Sequence, residues 1–134
     1  MAGISNLKIL LKSMSPRLVD EDYVFTTLSD TQFSQLNITP LLMFKEAEGF
    51  TLIVTKEVAE LNSFVHTGIW SWIILSVHSN LTAIGFLAAI TKKLAHSGIS
   101  VNVISAFYHD HLFVPREQAH KAMDLLEELS SLEE

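Results

Sequence analysis

The first apolar positions of the chain recur at the spacing of one helix face. They are Leu7, Leu10, Leu11 and Met14. Ser5 precedes them as a candidate N-cap, and Pro16 follows them. The pattern therefore predicts a short amphipathic helix that ends before the proline.

Strand-like patterns follow this helix. The β-branched and aromatic run over residues 23–28 predicts a strand. Residues 41–44 and 50–55 are apolar runs on either side of a charged turn that contains Gly49. They predict an antiparallel hairpin, and a short helix is predicted over 56–61. Residues 29–39 show no clear period.

The C-terminal half begins with residues 69–77, which are apolar at both odd and even positions. This pattern predicts a central strand that is covered on both faces. A helix is predicted next, with N-cap oxygens from Ser79, Asn80 and Thr82 and with Gly98 as its C′ residue. Its predicted buried stripe is Ile84, Leu87, Ala88, Thr91, Leu94 and Ala95.

A second apolar strip on that helix contains Phe86 and Ile90. One sheet cannot cover both strips, so the second is expected to need the other half of the chain or another subunit. Strands over 99–108 and 112–114 and a final helix after Pro115 complete the predicted order.

The order of these elements predicts an α+β fold with ferredoxin-like β-α-β-β-α units. The units are expected to be tandem and partly interleaved, with an antiparallel or mixed sheet and helices on one face. The second unit lacks its last strand, and residues 23–28 are the candidate to supply it.

Composition excludes several classes of function. The 134 residues carry 9 basic and 15 acidic side chains, a net charge of -6, so no basic surface for nucleic acid or anionic lipid is expected. Cysteine is absent, which excludes disulfides and thiolate chemistry. No basic segment leads into an apolar stretch near residue 1, and no apolar run reaches the roughly 18 residues that span a bilayer. The expectation is a cytoplasmic protein without a membrane segment.

The segment from Gly85 to Ile99 carries a family resemblance. Its helix lies between two glycines, Gly85 and Gly98, and this arrangement resembles the core of the ACT domain, a small ligand-binding module of amino-acid metabolism. The whole chain further resembles stand-alone bacterial proteins with two ACT-like halves, here 1–66 and 67–134. A more distant similarity reaches the CASTOR-type cytosolic arginine sensors.

The resemblance implies a non-catalytic regulatory or sensor module without a cofactor. It would bind a small metabolite, above all an amino acid, at a seam between ACT-like units, and would form a homo-oligomer such as a dimer. The predicted ligand-binding residues are Ser79, Asn80, Thr82, Gly85, Ser100 and Asn102. A helix that begins near Ser79 would offer unpaired N–H groups to a carboxylate, and Gly85 would permit close approach.

Two alternatives remain open. The chain could be a protein-interaction scaffold whose seam is filled by side chains and binds nothing small. It could also bind a metal or hydrolyse a substrate through His109 and His111, and the hydrolytic alternative would use Ser79 with His78 or His109. Neither histidine has a further ligand at diagnostic spacing, and no nucleophile-elbow motif is present.

Overall fold

A computed structural model describes residues 3–131 and confirms the α+β class. The chain forms two compact units. The described residues of unit 1 are 3–20 and 71–131, and unit 2 comprises residues 21–70. The helices are α1 (Leu7–Ser13), α2 (Asp30–Ser34), α3 (Lys56–Leu61), α4 (Phe86–His96) and α5 (Ala119–Ser131). The strands are β1 (Pro16–Leu18), β2 (Tyr23–Leu28), β3 (Leu42–Glu46), β4 (Gly49–Thr55), β5 (Trp70–Leu75), β6 (Asn102–Ser105) and β7 (Asp110–Pro115).

Unit 1 has the strand order β1-β5-β7-β6. Its last strand is β1, which runs antiparallel to β5 and places Pro16 opposite Leu75 and Leu18 opposite Ile73. The expectation that residues 23–28 supply this strand was wrong. Those residues pair with β4 at all six positions, and their described pairing with β5 is limited to Tyr23 opposite Trp70.

The core of unit 1 lies between its sheet and helices α1, α4 and α5. Helix α4 buries Phe86, Ile90 and Leu94, which are four residues apart and therefore share one face. Of the predicted stripe, Leu94 is buried and Leu87 packs partly buried against this core, but Ala88 and Ala95 are exposed, and Ile84 lies before the helix with 85% of its surface exposed. The prediction was wrong at these three positions because the helix begins at residue 86 and turns Phe86, Ile90 and Leu94 toward the core. Phe86 and Ile90, which were expected to need a partner, are covered within unit 1.

Unit 2 has the antiparallel strand order β3-β4-β2, as the predicted hairpin requires. Its core comprises Val24, Leu28, Leu52, Val54 and Ala59, with α2 and α3 packed on the same face. Helix α2 was missed by periodicity because five residues show no full helical period.

Two predicted elements are shorter than expected. The strand predicted over 99–108 extends over Asn102–Ser105, because a turn closed by the Ala106 N–H on the His109 carbonyl (3.0 Å) follows it. The first helix begins after Asn6, whose side chain accepts from the Ile9 N–H, so Asn6 rather than Ser5 is its cap.

In residues 3–131 no helix has the length and apolar character to cross a membrane.

The position of Ile90 in the unit 1 core leads to a stability prediction. Ile90→Ala should lower the free energy of unfolding by about 2 to 5 kcal/mol, because it opens a cavity among fully buried side chains. Ile9→Ala is the matched control, since Ile9 lies on α1 with 50% of its surface exposed, and should cost less than about 1 kcal/mol. Denaturant unfolding measures both. Equal losses for the two variants would contradict the placement of Ile90.

Candidate ligand-binding site

The segment after β5 is held by the N-terminal segment of unit 1. The Ile4 N–H donates to the His78 carbonyl, and the Asn80 N–H donates to the Ile4 carbonyl, both over 2.8 Å. A Cβ atom on Gly3 would lie 2.5 Å from the His78 carbonyl oxygen, so the close approach of these backbones requires glycine. These two backbone hydrogen bonds fix the direction of residues 78–80.

A buried polar pair includes Ser79, which lies between the two residues that Ile4 holds. The Ser79 hydroxyl donates to Oδ2 of Asp110 over 2.8 Å. Ser79 is 7% exposed and Asp110 is 6% exposed. Burial of a carboxyl group is costly unless hydrogen bonds compensate it, so Ser79 is part of what holds Asp110 in place. Asp110 is the first residue of β7 and lies opposite Ser105 of β6.

The segment between Asn80 and Gly85 is a loop rather than the first turns of a helix. The side-chain oxygen of Asn80 accepts from the Thr82 N–H over 2.9 Å and from the Thr82 hydroxyl over 2.7 Å. The Asn80 side chain is therefore committed to a local turn, and the predicted N-cap role of Ser79, Asn80 and Thr82 was wrong.

Helix α4 instead begins at Phe86, directly after Gly85. Gly85 has φ = 89°, a left-handed conformation that glycine adopts at little cost, and it is the N-cap. Glycine has no side chain to bond the amide groups of the first helical turn, so the positive end of the helix is left for solvent or a ligand.

These elements surround a cavity of about 140 Å³, called here the unit 1 cavity. Residues of the β5–α4 loop, the first turn of α4 and the β6–β7 hairpin line it. They are Ser79, Asn80, Leu81, Ala83, Gly85, Phe86, Leu87, Ala88, Ser105 and Asp110.

Three of the six predicted ligand-binding residues are brought together here: Ser79, Asn80 and Gly85. Thr82 lies in the same loop, outside the lining, and its hydroxyl donates to the side-chain oxygen of Asn80. Ser100 and Asn102 lie before and at the start of β6, outside the lining. Sequence reasoning missed Ser105 and Asp110, because a contact between residues 79 and 110 has no local signal in the sequence.

The histidines have structural partners. The Trp72 indole N–H donates to Nδ1 of His111 over 3.0 Å, which places the proton of the neutral ring on Nε2. Nδ1 of His109 donates to the Val77 carbonyl over 3.2 Å. The Ser79 hydroxyl donates to Asp110 rather than to an imidazole. Among the described residues, these contacts do not include the serine–histidine hydrogen bond that a hydrolase with Ser79 as nucleophile would use.

The metal alternative lacks a ligand cluster as well. Within residues 3–131 no group of three or more histidine, aspartate or glutamate side chains is arranged to hold a metal ion. His109 and His111 are neighbours, with ring centroids 6.5 Å apart, and His78 lies 6.5 Å from His109. These are edge contacts between rings, one within the β6–β7 hairpin region and one between the hairpin and the segment after β5.

The unit 1 cavity combines two electrostatic features of opposite sign. Asp110 presents a carboxyl group on one wall, and the N-terminus of α4 carries a partial positive charge worth about 0.3 to 1 kcal/mol to a nearby anion. A small molecule that carries both an ammonium group and a carboxylate matches this arrangement.

Comparison with known proteins now identifies the family. An ACT-domain model matches residues 2–70, and a second ACT-domain model matches residues 70–128. The chain belongs to the ACT-domain family. ACT domains are regulatory and have no catalytic activity of their own. No curated protein is similar in sequence to this chain.

Solved structures with ACT-type folds agree with this assignment. A protein of unknown function from Vibrio cholerae, VC0802, described as a possible transport protein, is 43% identical, with a TM-score of 0.83 over 92% of this chain and 95% of that one. The protein Atu0741 from Agrobacterium tumefaciens is 18% identical, with a TM-score of 0.69 over 86% of this chain and 87% of its own. The ligand-free regulatory subunit of aspartate kinase from Thermus thermophilus is 12% identical, with a TM-score of 0.64 over 86% and 97%. The last two show a shared fold.

The environment of His111 in this ACT protein leads to a pH prediction. Burial chiefly, and the nearby His109 secondarily, lower the pKa of His111, while Asp110 opposes the shift. Around the pKa of His111 the folded state therefore binds fewer protons than the unfolded state, in which a histidine has a pKa of about 6.5. The free energy of unfolding should fall as the pH drops below about 6.5 toward the lower folded pKa.

The variant His111→Gln should flatten this pH dependence, because its amide oxygen can accept from Trp72 but does not titrate. The matched control is His120→Gln at an exposed position of α5, which should keep the slope. Unfolding curves from pH 7 to pH 5 measure it. An unchanged slope in His111→Gln would assign the effect to another group.

Proposed function

We propose that this chain is a non-catalytic regulatory module that binds an amino acid in the unit 1 cavity. The observation that carries the proposal is that the buried pair of Ser79 and Asp110 lines the same cavity as the N-terminus of α4, which has no side-chain cap. Membership of the ACT family supports a regulatory role.

The proposed ligand binds through both of its charged groups. Its ammonium group donates to Asp110, which Ser79 holds in position. Its carboxylate accepts from the backbone N–H groups of the first turn of α4, which are oriented along the helix axis. Gly85 contributes through its left-handed backbone, which brings the cavity lining to the first turn of α4; a Cβ atom at this position would contact the Leu7 side chain at 3.5 Å.

The remaining lining residues favour a small side chain on the ligand. Leu81, Ala83, Leu87 and Ala88 form an apolar wall, and the cavity volume is about 140 Å³. A charged side chain would lose its hydration against this wall without a partner. We therefore place small uncharged amino acids first among the candidates.

The proposal also concerns assembly and location. We propose that the ligand binds at a seam between ACT-like units, as the resemblance implies, and that the chain forms a homo-oligomer in the cytoplasm. Exposed apolar side chains in the loop and the hairpin support association of copies: Leu81 is 64% and Ile84 85% exposed, and Phe107 and Tyr108 follow β6. The same surface favours the second candidate function, an interaction scaffold without a small ligand.

A light-scattering mass distinguishes association from a monomer of 15.0 kDa. The wild type should give a multiple of this mass at micromolar concentration, and Ile84→Lys should shift it toward one chain, because a charge would enter the buried interface. Lys121→Ala, at an exposed position on α5, is the control and should not change the mass. A monomer at all concentrations would contradict the assembly part of the proposal.

A thermal-shift screen of the common amino acids tests the ligand. An amino acid at about a hundred times its Kd should add ~2.7 kcal/mol to the free energy of unfolding and raise the Tm by several degrees. The corresponding amine without a carboxylate should bind poorly, because it cannot use the helix N-terminus. If no amino acid shifts the Tm, the scaffold becomes the better explanation.

The variant Asp110→Asn assigns the binding to this cavity. It keeps the shape of the side chain and its hydrogen bond with Ser79 but removes the charge, so binding of the screened amino acid should weaken at least about tenfold. Asp124→Asn makes the same change at an exposed position on α5 and should leave Kd unchanged. Equal affinity in both variants would place the ligand elsewhere.

A further inference from the structure

Unit 2 contains a second cavity, of about 320 Å³, called here the unit 2 cavity. It lies where the end of β2, helix α2 and the segment after α3 meet. Its lining is Thr27, Leu28, Gln32, Gln35, Leu36, Asn37, Asn62, Ser63, Phe64 and Val65. None of these residues carries a charge, and four of them carry a carboxamide. The chemistry of this lining differs from that of the unit 1 cavity.

The first wall presents an oriented hydrogen-bond donor. Gln32 is the third residue of α2 in a capping box with Ser29. Its Oε1 accepts from the Ser29 N–H over 2.8 Å, and the Ser29 hydroxyl accepts from the Gln32 N–H over 3.1 Å. Because Oε1 is committed to the helix cap, the amide nitrogen Nε2 is the group that Gln32 offers to a ligand.

The second wall presents an oriented acceptor. Asn62 caps the C-terminus of α3, where its Nδ2 donates to the Val58 carbonyl over 2.8 Å. The side-chain oxygen Oδ1 is therefore the group that Asn62 offers. The next residue, Ser63, has φ = 54°, a conformation in which glycine is usual, and the Phe64 N–H closes the turn on the Ala59 carbonyl over 2.9 Å.

Both walls are attached to the core of unit 2. Phe33 of α2 stacks on Phe50 of β4, with ring centroids 3.9 Å apart. The buried Thr26 hydroxyl donates to the Val65 carbonyl over 2.6 Å and ties the segment after α3 to β2. The donor and the acceptor are thus fixed by secondary structure before any ligand arrives, which lowers the entropy cost of binding.

From this arrangement we propose that the unit 2 cavity binds a primary carboxamide. A primary carboxamide offers its carbonyl oxygen and one N–H on the same edge, so a single such group can bond to both a donor and an acceptor, the two kinds of group that Gln32 and Asn62 offer in this lining. A trans peptide group has its N–H and C=O on opposite edges and cannot satisfy both. A carboxylate ligand would meet the Asn62 oxygen without a proton to share, and an ammonium ligand would meet no anionic side chain in the lining.

Propionamide and propionate are the matched probes. Neither carries the paired charges of an amino acid, so the unit 1 cavity and the proposed function do not decide the result. Titration of the ¹⁵N-labelled protein should move the side-chain amide signals of Gln32 and Asn62 with propionamide and leave them in place with propionate. If neither signal moves, or propionate moves them equally, the proposal is overturned.

Gln32→Glu tests the donor without removing the helix cap, since glutamate serves the same capping-box position. Propionamide should bind this variant at least about tenfold more weakly, because a carboxylate oxygen replaces the donor. Propionamidine, which offers N–H groups where the amide has its oxygen, should bind the variant more tightly than the wild type. Gln118→Glu, outside the cavity, is the control and should keep wild-type affinity for propionamide. Unchanged binding in Gln32→Glu would overturn the proposal.

The source of the carboxamide is distinguished by two further ligands. Free glutamine represents a metabolite, and glutamine blocked at both ends as an acetyl methylamide represents a side chain of a polypeptide. Tighter binding of free glutamine assigns a metabolite, and equal or tighter binding of the blocked form assigns a protein side chain. Both titrations are followed by the side-chain amide signals of Gln32 and Asn62, so that binding of free glutamine at the unit 1 cavity does not decide the result.

Discussion

Three residue pairs between β1 and β5 organise this chain. They give unit 1 its last strand from residues 16–18, although the other strands of this unit, β5, β6 and β7, all follow unit 2 in sequence or start at its last residue. Residues 3–20 therefore belong with residues 71–131, and α1 contributes Leu10 and Leu11 to the same core. Unit 2 starts and ends at neighbouring positions, since Tyr23 lies opposite Trp70. A ferredoxin-like unit is thus completed by a segment that precedes the other unit in sequence.

The candidate site in unit 1 depends on the same segment. Gly3 and Ile4 hold the backbone of residues 78–80, and this position directs Ser79 toward Asp110. The polar pair, the left-handed Gly85 and the start of α4 then define the unit 1 cavity. Each of these interactions contributes little to the free energy of folding by itself. They depend on one another because the Asp110 carboxyl group is buried, and its hydrogen bond with Ser79 compensates for the cost of that burial.

Local patterns predicted most of the fold. Alternation and turn residues located β2, the β3–β4 hairpin and α3, and the family resemblance placed Gly85 at the edge of the site. Three-residue β1 has no periodicity to detect, and its pairing with β5 is a long-range contact. For α2 a signal was present, since Ser29 and Gln32 have capping-box spacing. The start of α4 was misplaced because Asn80 resembles a helix cap in sequence but closes a turn with Thr82. The sequence around Asp110 contains no signal that its hydrogen-bond partner is Ser79, 31 residues earlier.

The placement of β1 also has a consequence during synthesis. Unit 2 is complete once residue 70 has been made, whereas α1 and β1 wait for β5, α4 and β7. At about 5 to 20 residues per second this delay lasts several seconds. In that interval Leu10, Leu11 and Met14, all buried in the finished protein, have no core to enter. Until β5, α4 and β7 have been made, the nascent chain therefore exposes these apolar side chains to solvent on the N-terminal side of unit 2.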